Sequence, residues 1–90
     1  MRISTIVFSP KSPVCTVSIA CWEPGQISPI HAHPEAEEIY HVLEGEGLFR
    51  DGTTEQRLGP RGTVVFAVGE IHQVEALTRT PEPCDVLPQF

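Results

Sequence analysis

The sequence predicts a single all-β domain, built as an antiparallel sandwich or barrel of about seven or eight short strands. The chain has 90 residues, which is enough for one small domain and too few for two. Short runs of apolar and β-branched residues recur along it, bounded by Gly, Pro or Asp-Gly, and this is the pattern of strands joined by turns. No apolar stripe of helical period competes with these runs.

The predicted strands follow the apolar runs in chain order. They are ISTIVF, VCTVSIACW, EIYHVLE, GLFR, QRL, TVVFAV and, with a weaker pattern, CDVL. Pro24-Gly25 ends the second run, because proline cannot donate to a ladder and glycine tolerates a turn. Asp51-Gly52 supplies the positive φ angles of a type I′ turn, so the runs on either side of it are predicted to form a hairpin.

The domain is predicted to span residues 1–90, with its core at about 14–87. Residues 1–13 are expected to form an N-terminal strand or arm. Residues 78–90 contain Pro81, Pro83 and Pro88, and are expected to form an edge strand and a tail.

The composition excludes two classes of partner. Nucleic acids and anionic membranes both attract cationic surfaces, whereas this chain has a formal net charge of −6. No run approaches the ~18 apolar residues of a membrane span, and the apolar stretch near Met1 is too short for a signal sequence. We therefore expect a cytoplasmic protein with neither a nucleic-acid nor a membrane partner.

The three cysteines favour a reducing compartment over a disulfide scaffold, because their number is odd and their spacing is not that of a metal site. Cys15 and Cys21 lie about 20 Å apart if one strand holds both, which is well beyond the ~7 Å limit for a disulfide. We expect both to be small buried side chains. Cys84 remains available to approach a pocket.

His31 and His33 are the first candidate metal ligands. Residues two apart on a strand leave it on the same face, about 6.6 Å apart, so their imidazoles can converge on one ion. On a helix the same spacing would point the rings apart. The pattern H-x-H also occurs by chance, and two histidines in this pattern, taken alone, are as often ordinary polar residues as metal ligands.

Further donors follow in the chain. Pro34 ends the segment that carries His31 and His33, and we expect the run that begins at Glu38 to return as a neighbouring strand and bring a carboxylate to face the imidazoles. His72 is the remaining candidate, because it begins another strand after the turn at Gly69. Imidazole and carboxylate suit Fe(II), Mn, Ni, Zn or Cu, and the ligand types do not choose between them.

His41, Glu35 and Glu37 are not expected to bind the ion. His41 has the opposite strand parity to Glu38 and Tyr40, so it is assigned to the outer sheet surface or to a subunit contact. Tyr40 shares the parity of Glu38 and points into the same cavity. It is predicted either to position a substrate or move a proton, or to be a core aromatic with a satisfied hydroxyl.

At this point the sequence resembles the cupins over most of its length, from about Val14 to Leu87. The first cupin motif is a Gly, five residues, H-x-H, three or four residues, a Glu, six residues and a Gly. Without a gap it fits Gly25, His31, His33, Glu38 and Gly45. Glu37 would satisfy the shorter spacing, but the last position would then fall on Glu44 instead of Gly45. The resemblance therefore selects Glu38 as the ligand.

The second cupin motif is matched less well. Gly69 and His72 occupy their expected positions, whereas Arg61 replaces the first glycine, Ala67 a proline and Ala76 an asparagine. These departures bear on the shape of the hairpin more than on the ligand at position 72.

The resemblance implies a jelly-roll barrel that holds one divalent metal ion through three His and one Glu, which here are His31, His33, Glu38 and His72. Many cupins are homodimers, and the apolar residues on both faces of EIYHVL also suggest that a second subunit covers the outer face. The implied function is a metal-dependent enzyme on a small organic molecule, with an Fe(II) dioxygenase favoured. The alternatives are a metal-dependent isomerase, cyclase or lyase, and a noncatalytic binding module.

Overall fold

The computed structural model describes residues 1–9 and 15–78. These residues form seven strands and no helix, so none of them belongs to a helix that could cross a membrane. The strands are β1 (Arg2–Phe8), β2 (Cys15–Cys21), β3 (Glu37–Glu44), β4 (Gly47–Asp51), β5 (Glu55–Leu58), β6 (Thr63–Phe66) and β7 (His72–Ala76). The all-β fold class is confirmed.

The strands form two antiparallel sheets, one of four strands in the order β2-β1-β3-β6 and one of three in the order β5-β4-β7. This two-sheet antiparallel arrangement agrees with the jelly roll that the resemblance implies. The buried side chains of both sheets and of the adjoining segments form one core cluster. Its members are Met1, Ile3, Ala20, Trp22, Tyr40, Val42, Phe49, Phe66, Val74 and Ala76.

The two faces of the four-stranded sheet differ. Residues that pair directly on neighbouring strands share a face, and the inner face carries Glu38 and Tyr40, which are buried. On the outer face, four β-branched apolar residues, each from a different strand, pair with one another in a line across the sheet. We call this line the apolar row, and its members are Val17, Ile6, Ile39 and Val65.

The first predicted turn is confirmed and the second is wrong. Gly25 has a φ of 88°, and the N–H of Gln26 donates to the carbonyl of Glu23 at 3.0 Å, as in a type II turn after Pro24. The hairpin between β4 and β5 forms, but Gly52 lacks the positive φ of a type I′ turn.

The β4–β5 loop is longer than a two-residue turn because the carboxylate of Asp51 organises it. One oxygen of Asp51 accepts the backbone amides of Thr53 and Thr54 at 2.8 and 2.7 Å, and the two threonine hydroxyls also donate to this carboxylate. Asp side chains compete with backbone turns in this way. These hydrogen bonds, first of all those from the backbone amides, lower the pKa of Asp51 to about 2.

Arg61, which replaces the first glycine of the second cupin motif, has a φ of 72°. This is the left-handed conformation that glycine adopts without steric cost. The turn into β6 is held against β3, because the N–H of Arg61 donates to the carbonyl of Val42 at 2.8 Å and the N–H of Val42 donates to the carbonyl of Gly62 at 2.9 Å. The substitution therefore adds strain and leaves the topology unchanged.

The expectation for the cysteines is wrong in two respects. Cys15 is a free thiol but is exposed, because it begins an edge strand, and Cys21 is disulfide-bonded. The cytoplasmic location stays a prediction. The chain beyond residue 78, with CDVL and Cys84, lies outside the described residues, as does the predicted core limit at residue 14.

Candidate metal centre

The segment that carries the two closely spaced histidines runs along the edge of β7. His31 and His72 exchange backbone hydrogen bonds of 3.1 and 2.8 Å, and the N–H of Gly69 donates to the carbonyl of His33 at 2.8 Å. Upstream, the hydroxyl of Ser28 accepts the N–H of Val74 at 2.9 Å. The backbone of each histidine is thus held against the sheet, although residues 31–33 form no regular strand.

Glu38 reaches the same place from the opposite sheet. The sequence predicts that the strand of Glu38 neighbours the segment of His31 and His33, and this prediction is wrong, because β3 pairs with β1 and β6. Glu38 points inward from β3, across the barrel, towards all three imidazoles. Its parity on the strand gave the correct direction, although the predicted pairing was incorrect.

The four residues converge closely. His31, His33, Glu38 and His72 each offer one donor atom within 4.8 Å of the others. Oε1 of Glu38 contacts Nε2 of His33 and lies 3.7 Å from Nε2 of His31, and Oε2 lies 3.1 Å from Nε2 of His72. Donors that bind one ion at about 2.0–2.2 Å are separated by up to about 4.4 Å, so a small contraction would place all four around a metal.

Two of the histidines already present the tautomer that a metal requires. Nδ1–H of His31 donates to the carbonyl of Pro29 at 2.9 Å, and Nδ1–H of His72 donates to the carbonyl of Glu70 at 2.9 Å. In the neutral ring this places the lone pair on Nε2, the atom that faces the centre. Without an ion, Nε2 of His72 instead carries a proton and donates it to Oε2 of Glu38 at 3.1 Å. These carbonyl partners cannot be predicted from the sequence, because no side-chain pattern marks them.

The electrostatics favour an ionised carboxylate. Burial alone would raise the pKa of Glu38, but hydrogen bonds from His72 and Tyr40 and the nearby imidazoles lower it to about 2. Burial would lower the pKa of His72, but its hydrogen bond with Glu38 raises it above the usual value. The centre therefore combines an anionic oxygen with three imidazoles, which suits a divalent transition metal.

Aromatic side chains form the inner wall of the centre. The ring of Phe66 stacks on His72 with centroids 4.5 Å apart and an angle of 12° between the rings. Tyr40 is buried, with its ring centroid 6.0 Å from that of His72, and its hydroxyl donates a hydrogen bond to Glu38. The prediction that Tyr40 points into the cavity is confirmed, and Phe66 was not anticipated. Burial and the bond to Glu38 raise the pKa of Tyr40.

The centre is open on one side. The side chains of His33 and His31 are 39% and 21% exposed, whereas those of Glu38 and His72 are buried. His33 is therefore the most exposed of the four residues. His41 lies on the outer face, where its Nδ1 is 2.7 Å from the hydroxyl oxygen of Thr63, so it is not among the converging donors.

Comparison with known proteins gives one match. The family model described as a cupin domain matches residues 18–88, which is most of the chain. Comparisons with curated proteins and with solved structures found no significant match. A cupin domain whose His-His-Glu-His cluster converges in space supports metal binding by this chain.

Proposed function

The chain belongs to the cupin family, and from that premise we propose that it is an enzyme in which His31, His33, Glu38 and His72 hold one divalent metal ion that acts on a small organic molecule. The favoured reaction is dioxygenation with Fe(II). The observation that carries the proposal is the convergence of four donors within 4.8 Å, with an open side at His33.

The ion, when bound, supplies Lewis-acid polarisation of a substrate oxygen and, as Fe(II), redox chemistry with O₂. The residues of the chain hold the ligands in position and exclude water. Tyr40 orients the carboxylate of Glu38 by a hydrogen bond, Phe66 stacks on the ring of His72, and the buried inner wall keeps water from that side. The substrate approaches past His33.

The acid–base properties of the site favour dioxygenation over isomerase, cyclase or lyase chemistry. Those reactions need a side chain that moves a proton at neutral pH. Glu38 is a poor base because its pKa is about 2, and the buried hydroxyl of Tyr40 is a poor acid because its pKa is raised and its proton is donated to Glu38. The polar side chains of the described inner wall thus suit positioning better than proton transfer.

The first test is the metal content of the purified full chain after growth with Fe, Mn, Ni, Zn or Cu. We expect about one ion per wild-type chain. The metal content should fall roughly tenfold or more in His31→Ala, His72→Ala and Glu38→Gln. Glu37→Gln and His41→Ala are matched controls, since each removes the same chemical group from the outer face. An equal loss in Glu37→Gln and Glu38→Gln would contradict the ligand assignment.

The second test is oxygen uptake by the Fe(II)-loaded protein with diketones, catechols and thiols. Consumption that disappears in His72→Ala but persists in His41→Ala supports a dioxygenase. Substrate turnover without oxygen uptake would instead indicate isomerase, cyclase or lyase chemistry. Full metal loading without any turnover would indicate a noncatalytic binding module.

A further inference from the structure

A pocket lies on the outer face of the three-stranded sheet, on the far side of that sheet from the candidate metal centre. It has a volume of about 320 Å³ and lies between β4, β7, the loop from β4 to β5 and the segment at Ile30. Arg50 and Gln73 line it and pair with each other, next to the pair of Asp51 with His72. Because side chains alternate along a strand, Arg50 and Gln73 point away from the centre that the ring of His72 faces.

Two isoleucines form the apolar wall of this pocket. Ile30 and Ile71 directly precede His31 and His72, whose rings converge inside the barrel, so the isoleucines point outward. They are 68% and 54% exposed. Single exposed apolar residues are common, but these two line one concavity whose volume is within the range of about 300–1,000 Å³ that small-molecule sites occupy. They offer a surface to the apolar part of a small ligand.

The polar wall is held in place by hydrogen bonds within the chain. The carboxylate of Asp51 accepts the backbone amides and the hydroxyls of Thr53 and Thr54. The side-chain amide of Gln73 donates to the carbonyl of Ser28 at 3.2 Å. A ligand therefore meets side chains that are already ordered, which lowers the entropic cost of binding.

The charges around the pocket are negative on balance. Its lining contains the carboxylates of Asp51 and Glu55 and the guanidinium of Arg50. Arg50 already donates to Glu75 at 2.9 Å and to Glu55 at 3.4 Å, so its charge is compensated within the chain. The imidazole of His72 is directed into the barrel. The pocket therefore favours a cation over an anion, as does the net charge of −6.

The polar atoms left for a ligand are mainly hydrogen-bond acceptors. Among the described residues, no hydrogen bond uses Oε1 of Glu55 or Oε1 of Gln73. The hydroxyls of Thr53 and Thr54 donate to Asp51, which leaves their oxygen lone pairs for a donor. An ammonium group has three donors and no acceptor, so it matches these atoms in both charge and hydrogen bonding.

We propose that this pocket binds a small primary amine. The ammonium group lies near Glu55 and Gln73, and the apolar body packs against Ile30 and Ile71. The site does not depend on the proposed enzymatic function, because the metal-binding atoms face the other side of the sheet. A ligand of this size makes few contacts, so the expected dissociation constant is about 1–10 mM.

The test is a titration of the ¹⁵N-labelled full chain at pH 7 with 3-methylbutylammonium, followed through the backbone amide signals in NMR spectra. We expect saturable shifts of the amides of Gly52, Thr53 and Gln73. The matched ligand is 4-methylpentanoate, which has a similar apolar body and the opposite charge. It should bind at least about fivefold more weakly, because its carboxylate meets those of Asp51 and Glu55. This comparison needs no variant of the protein.

Three variants test the position of the amine. Ile71→Ala truncates the apolar wall and is expected to weaken binding roughly fivefold or more. Val65→Ala is its matched control, since Val65 in the apolar row is equally exposed, at 54%, but belongs to the other sheet. Glu55→Gln keeps the shape of the side chain and removes its charge, and should weaken binding about two- to fivefold, as for an exposed ion pair. His33→Ala should leave the dissociation constant unchanged, because the amine does not bind the metal.

Four results would overturn the proposal. The first is the absence of saturable shifts up to about 100 mM amine, well above the expected dissociation constant. The second is a carboxylate that binds as tightly as the amine. The third is an equal effect of Ile71→Ala and Val65→Ala. The fourth is binding that His33→Ala abolishes, which would place the amine at the metal centre.

Discussion

The hydroxyl of Tyr40 is predicted to contribute to metal affinity without contacting the metal. It donates a hydrogen bond to Glu38, the only carboxylate among the four converging donors. Tyr40→Phe removes this one oxygen and leaves the ring in place between Phe49 and Phe66, whose centroids lie 5.8 and 5.9 Å away. No cavity is created, so the expected effect comes from the lost hydrogen bond.

Two independent magnitudes agree on the size of this effect. A hydrogen bond to a charged group contributes about 1.5–3 kcal/mol. Loss of a group that orients a metal ligand typically costs about 10–100-fold in affinity, which corresponds to roughly 1.4–2.7 kcal/mol. We therefore expect the dissociation constant for the bound metal to rise by about 10–100-fold in Tyr40→Phe.

The assay is a competition titration of the wild type and the variant against a chelator of known affinity, together with urea unfolding of the metal-free proteins. Phe49→Leu is the control, because it disturbs the packing beside Tyr40 but keeps the hydroxyl. It should lower the stability of the metal-free protein and change the dissociation constant little. A change of less than about threefold in Tyr40→Phe, well below the range expected for such a ligand partner, would refute the reasoning.

Three further predictions concern single residues. Arg61→Gly should stabilise the protein by about 1 kcal/mol, since glycine adopts the φ of 72° without the steric cost borne by arginine; an unchanged or lower urea midpoint would argue against this. Ser28→Ala should lower the free energy of unfolding by about 1–3 kcal/mol, because it leaves the buried amide of Val74 without its acceptor. A melting temperature that decreases by less than about 4 °C would contradict this prediction. The pKa of Asp51 is lowered in the folded state to about 2, so its contribution to stability is present above pH ~4 and is lost as the pH falls towards 2. Asp51→Asn should therefore unfold at lower urea than the wild type at pH 7 and at the same urea near pH 2; a difference that persists at pH 2 would point to another cause.

The sequence was most informative where the deciding interactions are local. Strand parity placed Glu38 and Tyr40 on the inner face of β3 and His41 on the outer face, because alternation along a strand needs no knowledge of its neighbours. The spacing of the two cupin motifs assigned His31 and His72 to the same group of metal ligands. The structure places them in direct backbone contact, 41 residues apart in the chain.

The sequence was less informative where a tertiary contact or a side-chain hydrogen bond determines the local structure. The pairing of Glu38 was misplaced because sheet order depends on long-range packing, which strand periodicity does not encode. The turn after β4 was misassigned because the carboxylate of Asp51 captures two amides and forms a different loop. The backbone carbonyls that orient His31 and His72 have no signature in the sequence.

The four converging donors belong to both sheets, with Glu38 on the four-stranded sheet and His72 on the three-stranded one. An ion bound among them links the two halves of the barrel, and the unfolded chain offers no such site. At a free metal concentration of about a thousand times the dissociation constant, this linkage adds roughly 4 kcal/mol to the free energy of unfolding. The lifetime of the protein against proteases should then follow the metal supply of its surroundings, so that scarcity of the ion shortens the survival of the chain itself.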